Sequence, residues 1–312
     1  MEIFYLSFTV VFPLVCMMSL GYVLRVVGIF NELFLKQLNK LCFKVFLPTL
    51  LFTNLYQSSF EFGSAIPMIV FGTTSVLIIF FLLVWIVPRF VTENRDRGVM
   101  IQGIFRSNFV LFGIPMIISL FGTEKTGVAV IMIALVVPLF NVLSVIILEI
   151  YSGHKTNFLS IIQGVAKNPL LIASVLGFVF LGLGIKIPLL MQDVLLDISQ
   201  VTTPLALIAL GGEFQFSGVA KYKKLLSGAI LGKLVLVPLF GITSAVLLGF
   251  RGIELAVLMA MFVSPTAVSS FTMAQSVGAN DELAGQIVVW NSILAIVSIF
   301  IWVTILQYAH ML

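Results

Sequence analysis

Long apolar stretches constrain the fold of this chain more than any other feature of its sequence. Ten of them follow one another, each near the ~20 residues that a helix needs to cross the ~30 Å hydrocarbon core of a bilayer. Helices of this length satisfy all their backbone hydrogen bonds internally, as lipid requires. We therefore predict an all-α polytopic membrane protein. The predicted spans are residues 4–24, 33–56, 65–87, 98–121, 127–150, 169–184, 190–212, 225–248, 253–276 and 283–308.

The shortage of charged residues agrees with this prediction. Of 312 residues, 60% are hydrophobic and 10% are charged, and mean hydropathy is +1.19. A soluble domain carries about 25% charged residues, so this chain cannot present a polar surface to water all round. We expect a lipid bilayer around it and no nucleic-acid partner. Cys16 and Cys42 both lie in apolar stretches, where we interpret them as small hydrophobic residues rather than a disulfide or metal pair.

Two of the predicted spans are interrupted by polar residues, glycine and proline. Arg106–Pro115 (RSNFVLFGIP) carries a cation, a hydroxyl and an amide, and Phe262–Ala274 (FVSPTAVSSFTMA) has the same character about 150 residues later. Such groups cost free energy in hydrocarbon unless they find partners. Interrupted spans at corresponding positions of two chain halves are typical of the binding site of a secondary transporter. We predict such a site here, with Gly113, Pro115 and Pro265 as hinge positions.

The most polar connection, residues 151–167, divides the chain into halves of similar length, 1–150 and 151–312. Each half holds five predicted spans, an odd number, so the second half must enter the membrane from the opposite face. This arrangement predicts two inverted five-helix repeats. The residues that match between the halves are Pro48 with Pro204, Phe60 with Phe216, Asn141 with Asn291, and Gly122 with Gly278.

Lysine and arginine are distributed unevenly between the connections, and this bias predicts the orientation. The face that holds connections 1–2, 3–4, 5–6 and 7–8 is rich in them, and we predict that it is cytoplasmic. Both termini would then lie outside the cell (plasma or inner) membrane. The residues on the first face are Arg25, Lys36, Arg89, Arg95, Arg97, Lys155, Lys167, Lys221, Lys223 and Lys224, against Lys125, Lys186 and Arg251 on the other.

Three runs of sequence, in their order and spacing, resemble one known family. They are SNFVLFGIPMIISLFG, PLALIALGGEF, and SPTAVSSFTMAQSVG with the later NSIL. The chain resembles the auxin efflux carrier family in its bacterial form, related to the plant PIN carriers, without the long cytoplasmic loop of many plant members. The resemblance implies a fold similar to sodium/proton antiporters and bile-acid symporters. Broken spans four and nine would cross at mid-membrane, and spans two and seven would help to form the scaffold of a homodimer.

The resemblance also implies site residues. In the plant carriers the first crossover reads Pro-Asn-Thr, with Gly-Ile-Pro a few residues later. Aligned on the Gly-Ile-Pro at 113–115, the family Asn falls on Asn108, and Ser107 stands where the family has Pro. The second crossover Pro falls on Pro265, and Asn141 replaces a substrate-facing Tyr. We expect these positions to bind substrate, and the more polar Asn141 favours a small aliphatic acid over an indole.

Arg106 is the cation that most directly suggests the chemistry of a ligand. It lies nine residues beyond Arg97, roughly 13 Å further along a helix and close to mid-membrane. A cation at that depth needs a partner, and span four supplies no acidic residue near it. Either a substrate carboxylate is that partner, or the side chain extends back to the cytoplasmic interface. Helix N-termini at the two breaks would add partial positive charge, so we predict a small organic anion as substrate.

The uncharged polar residues each have two interpretations. Asn108 has donors and an acceptor for a ligand, or for a neighbouring helix. We assign Asn291 to the same substrate site. Thr266, Ser269 and Ser270 either line the cavity or bond the carbonyls that the proline before them leaves free, and Thr266 is our candidate for a substrate contact.

Two further ionisable residues lie in or beside the spans. Glu213, at the exit of span seven, is either a proton or sodium coupling site or a charge at the membrane interface. Lys233, in span eight, either needs a buried partner or extends to the cytoplasmic interface, and we favour the second.

Other functional classes find little support. The stretch Gly228–Lys233 has the wrong spacing for a phosphate-binding loop and lies inside a span. His154 and His310 are the only histidines, so a metalloenzyme lacks clustered ligands. We expect no enzyme activity, no cofactor and no metal. An anion channel remains open, because polar broken helices also line pores, as does a carrier of a neutral or cationic solute on the same fold.

Overall fold

The computed structural model describes residues 2–57, 66–122, 126–151, 167–214 and 217–312, and these are almost entirely helical. Phe60 and Phe216, one of the matched pairs, lie outside the described residues. The first part of the chain forms α1 (Glu2–Val26), α2 (Glu32–Leu41), α3 (Leu47–Tyr56), α4 (Ile66–Phe90), α5 (Asn94–Phe105), α6 (Phe109–Phe121) and α7 (Thr126–Ile150). The second part forms α8 (Pro169–Gly182), α9 (Leu189–Glu213), α10 (Ser217–Lys221), α11 (Lys223–Leu231), α12 (Val237–Leu247), α13 (Gly252–Val263), α14 (Ser269–Ser276) and α15 (Asp281–Tyr308).

Several of these helices are long and apolar enough to cross a bilayer. Within the described ranges five pass that test, and a bent pair, Asn94–Gly113 with Pro115–Phe121, makes a sixth. Their outer faces carry large apolar side chains, such as Phe81 and Trp85, that are exposed on the protein and suited to lipid. The chain is a polytopic membrane protein, and the full count of ten spans stays a prediction. The five helices are Ile66–Phe90, Ile131–Ile150, Leu189–Glu213, Lys223–Leu247 and Asp281–Tyr308.

Two wide π-helical turns, Cys42–Phe46 and Gly232–Leu236, join α2 to α3 and α11 to α12 without a break. A proline follows each turn, Pro48 in the first case and Pro238 in the second. Proline has no N–H and its ring clashes with the carbonyl four residues earlier, so the helix widens there instead of continuing as a regular α-helix. The apolar pattern predicts plain spans in both segments, and the π turns differ from that prediction.

Helices α1 and α9 pack closely through glycines. A methyl group added at Gly21 would collide with the backbone of Ile208, and one added at Gly211 with the backbone of Met18. The side chain of Arg25 donates to the carbonyl of Gly212 at 2.8 Å, beside this contact. Small residues at such a crossing let two backbones approach, which is how helices associate where lipid supplies no hydrophobic driving force.

Gly211→Ala is expected to destabilise the protein because the new methyl group meets backbone that cannot move aside. Overpacking of this kind costs about 1–3 kcal/mol, so the apparent melting temperature should fall. Gly182→Ala is the matched control, because nothing lies within 4 Å of a methyl group at that position. Equal melting temperatures for the two variants in a thermal unfolding series would contradict the close packing.

The connections meet in two groups, at opposite ends of the helices. In one group Asn280 donates to Asp96 at 2.7 Å, and Lys221 forms an ion pair with Glu282 at 2.6 Å. The hydrogen bond to Glu282 raises the pKa of Lys221. These residues belong to connections 3–4, 7–8 and 9–10, which alternation along the chain places on one face.

The second group consists of two separate contacts, one between connections 2–3 and 6–7 and one between connection 8–9 and the C-terminal residues, which alternation places on the opposite face. The hydroxyl of Tyr56, at the end of α3, accepts from the backbone N–H of Ile187 at 3.0 Å. The backbone N–H of Gly252 donates to the carbonyl of Met311 at 2.8 Å. The order of the helices is therefore consistent with the predicted alternation, while the orientation in the membrane stays a prediction.

Gly122 and Gly278, one of the matched pairs, follow the helices that begin after the two breaks. Gly122 comes directly after α6 with φ +83°, and Gly278 comes two residues after α14 with φ +70°. Both values lie in the left-handed region, where a side chain is strained and glycine is not. Glycine adopts a positive φ without strain, and it commonly ends a helix in this conformation, as it does at both positions.

Candidate functional site

The two interrupted segments touch each other at their breaks. Helix α5 ends at Phe105 and α13 ends at Val263, and an extended stretch follows each. The backbone N–H of Asn108 donates to the carbonyl of Pro265 at 2.7 Å. Thr266 donates from its hydroxyl to the carbonyl of Gly103 at 2.6 Å. Each break therefore supplies hydrogen bonds that the other has lost.

The causes of the two breaks differ. Ser264 precedes a proline, which disfavours helical backbone in the residue before it, and Ser264 has ψ 138°. The first break contains no proline, yet Arg106 is also extended, with ψ 137°. Its geometry is held by bonds to the second break and by the side chain of Arg106, so it depends on tertiary structure more than on local sequence.

The matched asparagines each bond to the break in their own half of the chain. Asn141, in α7, accepts from Arg106 at 2.6 Å. Asn291, in α15, donates to the hydroxyl of Thr266 at 2.8 Å. Thr266 is fully buried and passes this bond on to the carbonyl of Gly103. The hydrogen bonds of Thr266 and Asn291 thus stabilise the second break.

Arg106 is almost completely buried, with 4% of its surface exposed. One guanidinium nitrogen donates to Asn141 at 2.6 Å and to Ser269 at 2.7 Å, and the other contacts the sulfur of Met273. No carboxylate lies within 4.0 Å of it among the residues that the structure describes. The side chain points into the protein, so the alternative in which it extends to the interface is wrong.

A cavity of about 130 Å³ lies beside this guanidinium. Arg106, Ser107, Asn108 and Asn141 line it, and so does Ser269. The side-chain amide nitrogens of Asn108 and Asn141 and the hydroxyl of Ser107 are buried, and they have no partner in the described part of the chain. Buried polar groups are rarely left unpaired. All three groups can donate a hydrogen bond, so the cavity suits a ligand that accepts hydrogen bonds.

Two helix N-termini reach the same cavity. Phe109 is the first residue of α6 and Ser269 is the first residue of α14, and both line it. The unsatisfied N–H groups at a helix start carry a partial positive charge of about half an elementary charge. At α14 the N–H groups of Ser270 and Phe271 already donate to the carbonyls of Ala267 and Val268. The full charge of Arg106 and the start of α6 therefore contribute most of the positive potential, which attracts anions.

Other predicted residues lie away from this cavity. Pro265 and Thr266 lie behind it, in the contact between the breaks, with Asn291. Glu213 lines a separate cavity of about 180 Å³ that also has Asp281 and Glu282.

The hinge candidates of the first segment, Gly113 and Pro115, lie inside α6. The chain changes direction by 52° between Asn94–Gly113 and Pro115–Phe121, and the first of these stretches contains the break at residues 106–108. Pro115 has no N–H, so α6 has one backbone hydrogen bond fewer at that position. Pro265, the third hinge candidate, lies in the extended stretch between α13 and α14.

Part of the cavity wall is formed by residues that were not predicted from the sequence. Asn54 and the apolar side chains Leu47, Leu50 and Leu51, all in α3, form one side, and Thr203 of α9 contributes as well. The polar Asn54 and the Thr-Pro pair at 203–204 were visible signals within otherwise apolar spans. Which spans pack around the breaks depends on tertiary structure, and spacing along the chain does not reveal it.

The expected position of Lys233 is wrong. Its side chain is fully buried, and its ammonium nitrogen has no hydrogen-bond partner among the described residues. It lies in the π turn Gly232–Leu236, where Leu234 accepts from Ser298 of α15. The packing of α15 against this turn encloses the lysine, so its stem does not reach the interface.

Lys233→Met is expected to raise the apparent melting temperature. Methionine has a similar length and carries no charge that must be removed from water, so the variant should be more stable by about 1–4 kcal/mol. Thermal unfolding of the purified variant beside the wild type measures this. A clear fall in melting temperature would show that the ammonium group has a stabilising partner.

Comparison with known proteins shows the family of the chain. The sequence model of the membrane transport protein family, the auxin efflux carriers, matches residues 6–161 and 156–303. The chain belongs to the auxin efflux carrier family. It is also 26% identical over 313 residues to an "uncharacterized transporter" of Methanothermobacter thermautotrophicus, which covers 97% of this chain and 100% of the relative. The resemblance drawn from the short sequence motifs is thus confirmed, and the chain is a membrane transporter.

Proposed function

We propose that this transporter moves a small organic anion, a carboxylate, by alternating access at the point where its two broken helices cross. The observation that carries the proposal is Arg106, a buried guanidinium with amide, hydroxyl and thioether neighbours and no carboxylate partner among the described residues. An uncompensated buried charge costs several kcal/mol. A substrate carboxylate would supply the missing negative charge.

The neighbouring donors support the same class of ligand. A carboxylate accepts about four hydrogen bonds, and the fork of an arginine can supply two of them in parallel. The amide nitrogens of Asn108 and Asn141 and the hydroxyl of Ser107 are further donors without partners in the described part of the chain. A cationic solute would be repelled by Arg106, and a neutral one would leave its charge uncompensated. The carboxylate is therefore favoured over both.

The proposed mechanism uses two inverted five-span repeats, 1–150 and 151–312. The bonds from Asn141 and Asn291 to the breaks of their own halves support this symmetry. Movement of the broken helices about Gly113, Pro115 and Pro265 would expose the cavity to either side in turn.

Two further parts of the proposal concern assembly and energy coupling. We include a homodimer through the second and seventh spans, as the family resemblance implies. We also include Glu213 as the candidate proton or sodium site. Its carboxylate accepts from Gln275 at 3.5 Å, in a cavity separate from that of Arg106. A coupling ion would therefore bind apart from the substrate.

Exchange across a membrane tests the function. Purified protein in liposomes loaded with unlabelled malonate should accumulate labelled malonate in a saturable way, and malonamide, its uncharged amide analogue, should not compete. In a channel, the uptake of labelled malonate would not depend on exchange with the unlabelled malonate inside the liposomes. Preference for malonamide or for a cation such as choline would contradict the proposal.

The proposed topology predicts which positions are accessible from outside. In a chain whose Cys16 and Cys42 are replaced by alanine, a cysteine at Lys186 should react with an impermeant thiol reagent in intact cells. A cysteine at Lys223 should react only after permeabilisation, because it lies on the predicted cytoplasmic face. Both lysines are exposed, so a difference in labelling between the two cysteines cannot come from burial in the protein. The reverse pattern would invert the orientation.

A further inference from the structure

A third cavity, of about 440 Å³, is bordered by three lysines of one helical stretch. Lys36, Lys40 and Lys44 are spaced four residues apart along α2 and the π turn that follows it, and all three are exposed. Residues at this spacing lie on one face of a helix, roughly 6 Å apart along its axis. The three ammonium groups therefore form a row along one wall of the cavity.

The depth of this row requires a hydrated cavity. Lys44 lies twelve residues beyond Glu32, the start of α2, and so roughly 18 Å along the helix. A lysine at that depth is costly in hydrocarbon unless it faces water or a partner. No ion pair of Lys44 is found among the described residues. The cavity beside it would supply the water, and its mouth would lie at the predicted cytoplasmic end of α2.

Two buried polar side chains in the wall have no partner in the described part of the chain. Asn39 is 1% exposed, and neither its amide nitrogen nor its amide oxygen is hydrogen-bonded. Thr272 of α14 is 2% exposed, and its hydroxyl has no partner either. Both line the cavity together with the lysines. Unpaired groups of this kind are expected where a ligand or ordered water binds.

The charge of the wall favours an anion. Asp281 is the acidic residue that lines the cavity, against three lysines. Its carboxylate already accepts from the side chain of Gln275 at 3.2 Å. The wall therefore keeps a net positive charge.

This cavity lies next to the Arg106 site, one helical turn away along α14. Ser269 lines the Arg106 cavity, and Thr272, three residues later, lines the lysine cavity. Met273, between Thr272 and the end of the helix, contacts the guanidinium of Arg106. A solute that enters from the predicted cytoplasmic face along the lysine row would thus arrive beside Arg106.

We propose that the cavity beside Lys36, Lys40 and Lys44 is a second binding site for the transported anion, and that it takes a small dicarboxylate before or after the Arg106 site. The inference rests on the proposed function, because it takes the same carboxylate as its ligand. A ligand with two carboxylates can pair with two neighbouring ammonium groups of the row, one carboxylate to each, whereas a ligand with one carboxylate cannot. The amide of Asn39 and the hydroxyl of Thr272 would bind the oxygens that the lysines leave free.

Protection of an introduced cysteine tests the site. Ser276 borders the cavity, and in a chain with alanine at Cys16 and Cys42 a Ser276→Cys variant can be labelled with an anionic methanethiosulfonate reagent. The protein is held in nanodiscs of neutral lipid, with malonate as the probe and acetate as the monocarboxylate control. Malonate at ten times its dissociation constant should slow the labelling about tenfold by mass action, and acetate at the same concentration should slow it less.

Variants separate the two sites. With Lys36, Lys40 and Lys44 all changed to glutamine, protection should require at least about tenfold more malonate. Arg106→Gln should leave the protection in place, even if it abolishes exchange. Changing the exposed Lys223 and Lys224 to glutamine is the matched control and should have no effect.

Three results would overturn the inference. One is the absence of protection by malonate. Another is protection that survives loss of the three lysines and disappears with Arg106→Gln, which would assign it to the first cavity. The third is protection that anionic lipid gives and malonate does not, which would make the row a lipid headgroup site. If the wild-type protein shows this protection but does not exchange malonate, the proposed function is contradicted, and the cavity remains an anion-binding site.

Discussion

Arg106→Gln is expected to weaken carboxylate binding by roughly 10- to 150-fold, since a hydrogen bond to a charged group contributes about 1.5–3 kcal/mol. Glutamine is too short to keep the bonds of Arg106 to Asn141 and Ser269. The variant also removes a buried charge that has no carboxylate partner among the described residues, so the melting temperature of the unliganded protein should move little. Malonate and malonamide have similar shapes, but only malonate is charged. Calorimetry of both ligands on the same samples therefore shows whether the substitution affects recognition of the charge or of the shape of the ligand.

Arg106→Lys provides the control for charge alone. Lysine keeps the positive charge and loses the planar fork, so its affinity for malonate should lie between those of wild type and Arg106→Gln. Malonamide binding should be unchanged in both variants. If neither substitution alters malonate binding, Arg106 has a structural role and the anion is held elsewhere.

Asn108→Ala is expected to lower carboxylate affinity about tenfold, since a net hydrogen bond contributes roughly 0.5–1.5 kcal/mol and more when the ligand is charged. The side-chain nitrogen of Asn108 has no partner among the described residues, and the bond to Pro265 uses the backbone N–H, which alanine retains. The melting temperature should therefore move little. Asn108→Asp, of similar shape, places a negative charge beside the anion and should lose more affinity than Asn108→Ala.

Asn291→Ala is the matched structural contrast. It removes the bond to Thr266 and leaves the Arg106 cavity lined as before. We expect a lower melting temperature from Asn291→Ala and a lower affinity from Asn108→Ala. If Asn108→Ala lowers the melting temperature and keeps wild-type affinity, Asn108 bonds a neighbouring helix and not the substrate.

The sequence predicted the second break better than the first. Pro265 has no N–H and constrains Ser264, so the end of α13 follows from local chemistry. At the first break a serine stands at 107, and only the cluster of polar residues showed that the helix is interrupted. The extended backbone at Arg106 depends on Pro265 and Ser269, more than 150 residues away in the chain. Such a contact has no local signature.

The environment of Lys233 could not be predicted from the residue and its position in the chain. A lysine near the end of an apolar stretch usually extends to the interface, and that general tendency decided the prediction. The structure instead encloses it because α15 packs against the π turn that carries it. Neither the π turn nor the neighbouring helix can be derived from the spacing of apolar residues. The helix ends, in contrast, lie within a few residues of the predicted stretches because apolar composition determines them directly.

The position of a bound carboxylate is the most direct test of the central claim. Bromomalonate carries a heavy atom that can be located in a structure of the complex without assumptions about its orientation. We expect a bromine peak in the cavity between the first turns of α6 and α14, with a carboxylate oxygen within hydrogen-bond distance of Arg106. A peak in the acidic cavity beside Glu213, or binding that leaves the Arg106 cavity empty, would contradict it.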